Sequence, residues 1–271
     1  MNKKGIDVST WQGEIDFQKA KNDGVEFVII REGYGKKDPN QIDKKFKQNY
    51  EGAKKAGLPV GVYHYSYAGS VSDAKLEAQF CLENIQGLEL EYPVCFDIED
   101  KEQLKLNNRQ RTDIVKAFCE EIENAGYYAM VYCNLNWWNN YLIKEELENK
   151  YDLWLGQWQV ENPSVKCGIW QTCETGHIDG INGNVDLNIA YKDYPQIMKY
   201  NGLNGFKKQE ASPDGANYSI YTVEKGDSLW SIAQKQFGDG TKWERIKTIN
   251  SLSSTVIYPG QVLKLPKQEK L

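Results

Sequence analysis

The chain has 271 residues, 40% of them hydrophobic, and a net charge of −5 at neutral pH. That length suits one large domain plus a small one. No run approaches the ~18 apolar residues a membrane helix needs, and the balance is uneven, −8 over residues 1–200 and +3 over 219–271, so the acidic major part argues against nucleic acid as its partner.

From residue 5 to about 132 strand and helix patterns alternate. Residues 5–9, 26–33, 59–65, 92–97 and 127–132 read as strands, the second a continuous apolar run closed by glycine. Residues 43–56, 72–84 and 111–124 read as helices. In the last, Ile114, Ala117, Phe118 and Ile122 recur at helical spacing and Gly126 is the stop. Alternation of this kind implies parallel βαβ units with right-handed crossovers. After Asn140 the helical signal fades, and residues 151–158, 168–172 and 184–189 give three further strands. Eight strands suffice to close a barrel. The expected fold is therefore α/β: an irregular TIM-like β/α barrel over residues 1–200, with five β/α units and three final strands.

Residues 201–217 are rich in turn formers and read as a flexible linker. Residues 218–266 form a small, strongly patterned βααβ segment. Its helices are expected at 228–236 and from Thr241 to Ile249, the second on the capping-box spacing Thr241-Lys-Trp-Glu244, and its last strand at 261–265. Trp230 is expected in the core with Ile232 and Ala233.

The stretch Tyr92-Pro-Val-Cys-Phe-Asp-Ile-Glu-Asp100 carries the strongest chemical signal. Alternation puts Asp97 and Glu99 on one face, about 7 Å apart along the strand. Two acids on an otherwise buried strand are costly without a task. Crowded carboxylates push their pKa values apart, so that one stays protonated while another stays ionised, as acid-assisted glycoside cleavage requires. The competing reading is a strand end where Asp97 caps the next helix and Glu99 is solvated. In a barrel the site gathers at the C-terminal strand ends. Asp7 in strand one and Asp186 in strand eight are then neighbours, and four carboxylates converge on one mouth.

Aromatic faces stack on the apolar face of pyranose rings, and Tyr34, Tyr63, Tyr65, Tyr132, Trp158 and Trp170 lie at or near strand ends. Gln171 follows Trp170. Arg31 fits either the orientation of an acid or a structural salt bridge. His64 reads as a packed strand residue and Asp179 as a turn residue. The six cysteines show no paired spacing and read mostly as buried reduced thiols. Cys167, Cys173 and His177 lack a CxxC, so no metal site is expected. The N-terminus has Lys3 and Lys4 but no apolar stretch behind them, so no secretory signal is expected and the product should accumulate in the cytoplasm.

The ordered set Gly5-Ile-Asp-Val-Ser-Thr-Trp-Gln-Gly13, Phe27-Val-Ile-Ile-Arg-Glu-Gly-Tyr-Gly35, Gly61-Val-Tyr-His-Tyr65, Phe96-Asp-Ile-Glu99, Leu153-Trp-Leu-Gly-Gln-Trp158, Trp170-Gln171 and Val185-Asp-Leu-Asn188 resembles the family 25 glycoside hydrolases over about residues 1–195. These are lysozymes of the muramidase type. The resemblance implies cleavage of the β-1,4 bond between N-acetylmuramic acid and N-acetylglucosamine in peptidoglycan, without a cofactor. It implies Glu99 as general acid/base, Asp97 as partner to the substrate's own 2-acetamido group, and Asp7 and Asp186 as the remaining acids. Glu32 stands where the family often has a small residue, and Gly156 where alanine is common. Tyr221-Thr-Val-Glu-Lys-Gly-Asp-Ser-Leu-Trp-Ser-Ile-Ala233, Asn250 and Ile257-Tyr-Pro-Gly-Gln-Val-Leu-Lys-Leu-Pro266 resemble a LysM domain. That implies binding of N-acetylglucosamine-containing glycans through Gly226, Asp227, Ser228, Leu229, Ile257, Tyr258 and Pro259. The missing secretory signal suggests a phage endolysin, made in the host cytoplasm and released through a holin-type pore, with no membrane insertion of its own. A bacterial autolysin, and a non-catalytic peptidoglycan-binding protein, are the rival readings.

Overall fold

The computed structural model describes residues 2–36, 38–207, 218–250, 252 and 254–266. Two compact units divide it. The larger is built from β1 (Lys3–Val8), α1 (Phe17–Asn22), β2 (Phe27–Tyr34), α2 (Phe46–Lys55), β3 (Val60–Tyr65), α3 (Val71–Ile85), β4 (Val94–Asp97), α4 (Asn108–Asn124), β5 (Ala129–Asn134), α5 (Leu135–Asn140), α6 (Lys144–Leu147), β6 (Asp152–Gly156), β7 (Ile169–Gly176) and β8 (Val185–Ala190). The eight strands close a barrel in sequence order. Neighbours from β1 to β7 pair in parallel, whereas β8 runs antiparallel to both β7 and β1. The sequence gives no sign of that reversal.

Strand alternation sorts the side chains. Val28, Ile30, Val60, Val62, Val94 and Phe96 join one apolar cluster with Ala74, Ala78, Phe118 and Ile122 of the surrounding helices. Each large aliphatic or aromatic residue buried there contributes roughly 1.5–3 kcal/mol. On the other strand face Phe27 stacks on Tyr92, ring centroids 4.2 Å apart. Gly5 admits that stack, since a Cβ there would lie 2.4 Å from the Phe27 ring.

The expected linker begins differently. Asn204, with φ of 56°, is fully buried. Its Oδ1 accepts from Tyr128 N at 2.7 Å, its Nδ2 donates to Tyr92 O at 2.8 Å, its N donates to Gly126 O and its O accepts from Leu90 N. Asn tolerates this left-handed backbone better than other L residues. Residues 204–206 thus belong with the barrel, and residues 208–217 lie outside the described set.

The second unit contains α7 (Tyr194–Asn201), β9 (Tyr218–Thr222), α8 (Leu229–Phe237), α9 (Trp243–Ile249) and β10 (Val262–Pro266). β9 and β10 pair antiparallel. Ser228 and Ser231 form a capping box at the start of α8, and Leu229, Ile232, Ala233 and Phe237 pack with Ile246, Leu263 and Leu265. Trp230 corrects the expectation, being 53% exposed. One residue on from Leu229 is about 100° around a helix, so Trp230 leaves the buried face and its indole lies over Gly240. The capping box expected at Thr241 is absent as well. Asp239 accepts from Thr241 N and starts a short turn, and α9 begins only at Trp243. Among the described residues no helix is long and apolar enough to cross a membrane.

Candidate active site

Four carboxylates meet at one barrel mouth. Asp7 stands one residue before the end of β1, Asp97 ends β4, and Glu99 follows two residues later. Because β8 runs backwards, its second residue, Asp186, pairs directly with Asp7. The parallel registers set Tyr65 and Tyr132 beside Asp97 on its two flanks. The alternative reading of Asp97 as a helix cap does not hold; Asp100 caps the following turn.

Long-range amides hold the acids. Asp7 Oδ2 accepts from Gln171 Nε2 at 2.9 Å and from Asn188 Nδ2 at 2.8 Å. Gln171 is in turn fixed by the Tyr132 hydroxyl at 2.9 Å, and Asn188 by the Trp154 indole N–H at 2.8 Å. Glu99 Oε2 accepts from Asn134 Nδ2 at 3.0 Å and from Asn134 N at 3.3 Å. Asp97 Oδ1 is buried with no protein donor. Asn134, Asn188 and Trp154 escaped the sequence reading.

Burial sets the protonation. It pushes Asp97 well above the carboxylate range, with Glu99 and Asp7 adding to the rise and Arg31 opposing it. Glu99 is raised by burial against the opposing Asn134 hydrogen bonds. Asp7 is raised by burial against the pull of Asn188 and Gln171. Asp186, half-buried beside Asp7, is pushed up to about 8. Like charges at this spacing cannot all ionise, so the mouth holds protonated carboxyls near neutral pH.

Arg31 does two things. Its Nε and Nη2 bind Asp43 Oδ2 at 2.9 and 2.7 Å, and its charge lowers Asp97. Its guanidinium also sits 5.6 Å from the Tyr34 ring centroid. Tyr63 and Tyr132 pack against Trp154 at 5.9 and 4.5 Å, and the hydroxyls of both are raised by burial and by the nearby acids. Tyr65 donates to Asp100 Oδ2 at 3.3 Å. Tyr67, missed in the sequence, is 47% exposed and packs edge-on against Tyr34 and Tyr65. Trp158 is half-buried with an unpartnered indole N–H. A Cβ on Gly156 would fall 3.1 Å from the Tyr132 hydroxyl and 3.5 Å from Trp158. Trp170 is not brought to the acids. Gln171 faces Asp7, so its strand neighbour Trp170 faces the other way and its N–H is taken by Gln157 O at 2.7 Å.

On the helix-facing side of β2 and β3, ligand atoms of Glu32, His64 and Cys81 lie within 4.8 Å of one another. Hydrogen bonds account for this cluster. Glu32 accepts from His64 Nδ1 and from Asn84 Nδ2 at 2.7 Å, and the Cys81 thiol also bonds it. Burial pushes His64 down, but Glu32 and Glu77 outweigh it and raise its pKa. A protonated His64 faces Glu32 through Nδ1 and Glu77 through Nε2.

In the second unit Asp227 faces inward. Its Oδ2 accepts from the Tyr221 hydroxyl at 2.6 Å and from Glu224 N at 2.8 Å, and its Oδ1 faces Lys235 at 3.4 Å. Leu229 is core, and Ile257 packs against that core. Gly226, Ser228 and Pro259 are exposed and Tyr258 is half-buried.

A closed barrel with buried, partly protonated acids at the strand ends has the fold and site of a glycoside hydrolase. The chain belongs to glycosyl hydrolases family 25, whose sequence model matches residues 6–181, and a LysM domain matches residues 221–266. An autolytic lysozyme of Clostridium acetobutylicum is 32% identical over 187 residues, which cover 68% of this chain and 55% of that one. The match thus spans about half of that relative's length. Lysozyme M1 of Streptomyces globisporus is 28% identical over 200 residues, 68% of this chain and 66% of its own. The crystal structure of the CTP1L endolysin superposes with a TM-score of 0.64 at 27% identity, covering 73% of this chain and 69% of the endolysin. A lysozyme from Streptomyces coelicolor gives 0.62 at 26%, covering 70% and 92%.

Proposed function

We propose that the protein is an N-acetylmuramidase that hydrolyses the β-1,4 bond between N-acetylmuramic acid and N-acetylglucosamine in peptidoglycan. The observation that carries this is the half-buried Glu99, held by Asn134 at the barrel mouth next to Asp97, whose Oδ1 has no protein donor. Glu99 protonates the leaving glycosidic oxygen and later takes a proton from water. Asp97 accepts the acetamido N–H and steadies the positive charge as the acetamido oxygen attacks the anomeric carbon. Burial keeps Glu99 protonated, while Asp7 raises Asp97 and Asp186 beside it. Arg31, Tyr34, Tyr63, Tyr65, Tyr132, Trp158 and Gln171 shape the sugar site, and Trp170 supports it from behind the strand. The C-terminal domain binds the glycan through the loops at Gly226–Leu229 and Ile257–Pro259, which raises local substrate concentration through the connecting segment. Leu229, Ile257 and Asp227 there set loop shape, and Gly226, Ser228, Tyr258 and Pro259 make the contacts.

Similarity to the CTP1L endolysin supports host-cell lysis, and on that reading the protein leaves the cell through a holin-type pore. Similarity to the autolytic lysozyme supports the alternative, turnover of a bacterium's own wall. The test is digestion of purified cell walls followed by borohydride reduction. Reduced muramic acid from wild type and none from Glu99→Gln supports the reading. Reduced glucosamine, or equal release by both proteins, overturns it.

A further inference from the structure

Behind the sugar-facing side of β3 and β4 lies a buried polar knot that none of the proposed chemistry uses. The turn after Glu99 is short, with Asp100 capping residues Lys101–Lys105. Within it Gln103 is 1% exposed, and every polar atom of its side chain is committed. Its Oε1 accepts from Asp100 N at 3.1 Å, and its Nε2 donates to Ser66 Oγ and Ala68 O, each at 3.2 Å. Ser66 then donates to Glu77 Oε2 at 2.6 Å, and Tyr67 N donates to Glu77 Oε1 at 2.9 Å. His64 Nε2 backs Glu77 at 3.8 Å. From the other side Arg111, also buried, donates Nη1 to Gln103 O at 2.9 Å and Nε to Tyr141 O at 2.8 Å.

The side-chain amide therefore joins the residue after Glu99, the loop that carries Tyr67 and, through Ser66 and Glu77, helix α3, and the main-chain carbonyl of the same residue joins the α4–α5 region through Arg111. Burying an amide is neutral at best, and it becomes costly wherever a partner is missing. A methionine would fill this volume without such demands. What the amide adds is fixed geometry: a displacement near 1 Å at a reacting group costs on the order of a hundredfold in rate.

We propose that Gln103 is a positioning residue for the hydrolysis, locking the Glu99 turn to the Tyr65–Tyr67 rim so that acid and sugar platform keep one spacing. This rests on Glu99 being the acid. Glu77 and Ser66 act through Gln103 and touch no substrate.

The test uses the full chain with soluble peptidoglycan strands as substrate. Gln103→Met is the main variant, and Ser66→Ala is the milder one: it removes one of the three Gln103 side-chain bonds, together with the Ser66 bonds to Glu77 and Ala68 N. Asn84→Ala is the control: it lies on α3 in the same buried interface but bonds Glu32 and not the loops. The expected result is a fall in kcat of about tenfold or more for Gln103→Met. Its pH optimum should stay unchanged, because burial and Asn134 still set Glu99. Ser66→Ala should fall between, and Asn84→Ala should lower Tm without lowering kcat. Should Gln103→Met fail to fold, the graded loss in Ser66→Ala carries the test. The proposal is overturned if Gln103→Met keeps kcat within twofold, or if kcat tracks Tm equally across all three variants. A wild type that releases no muramic acid end sinks the Glu99 reading instead, which keeps the two failures apart.

Discussion

Asp186→Asn offers a direct measure of how strained the carboxylate mouth is. The pKa of Asp186 rises from 3.8 to about 8, caused first by burial and then by Asp7. An acid raised in the folded state binds its proton more tightly there than in the unfolded chain. Its ionisation therefore opposes folding, an effect absent below pH 3.8, growing between 3.8 and 8, and complete above 8. For an isolated buried group the shift corresponds to ~6 kcal/mol at 1.36 kcal/mol per unit. Asp186 is only half-buried and shares its proton with Asp7, which reduces the effect to about 2 kcal/mol. Asn keeps a donor toward Asp7 and cannot ionise. Thermal melts of the barrel at pH 5, 7 and 9 should show the variant melting above wild type by ~4–8 °C at pH 9, with the gap closing as the pH falls toward 4. A variant no more stable than wild type at pH 9 would refute the assignment of a strained, proton-sharing pair.

Glu99→Gln should abolish cell-wall lysis, leaving sedimentation with insoluble walls intact. The wild-type rate should fall on the alkaline side as the raised Glu99 loses its proton, with an apparent pKa above 4.5 in a pH–rate profile. Gly5→Ala drives a Cβ into the Phe27 ring and should cost about 1–3 kcal/mol in denaturant melts. Asn204→Ala strands Tyr128 N and Tyr92 O and should cost about 2–4 kcal/mol, read by the same method. Asp227→Ala should lower the melting temperature of the isolated LysM transition and weaken glycan binding together, because Tyr221 and Glu224 lose their acceptor.

The sequence showed what periodicity can carry. Alternation over Val94–Glu99 marked a buried strand ending in acids, and the barrel brings Asp7 and Asp186 to it as expected. The direction of β8 was hidden, since alternation reads the same in both directions, and only the antiparallel register explains how the start of that strand meets the end of β1. Asn188 carries no local signature, and the local signatures of Asn134, a helix N-cap, and of Gln103, half of a capping box with Asp100, do not reveal their distant partners. A buried amide is defined by partners more than thirty residues away, such as Glu99, Asp7 and Ser66. Trp230 failed for a simpler reason. Its neighbours two and three positions on suggested a shared face, yet helical geometry groups residue 229 with 232 and 233 and turns 230 outward. Trp170 failed through the two-fold period of a strand, one place out of phase with Gln171.

The Asp7–Asn188 bond spans 181 positions of the chain, and β1 finds its antiparallel partner only in the last barrel strand. During synthesis the ribosome makes Asp7 early and its amide holder very late. Until β8 docks, Asp7 has neither Asn188 nor Asp186 beside it, and the carboxylate mouth is incomplete. On the proposed mechanism, a chain whose β8 has not docked lacks two of the four acids of the mouth. The site is thus completed by the last strand of the barrel to be made, and its assembly belongs to the final folding event.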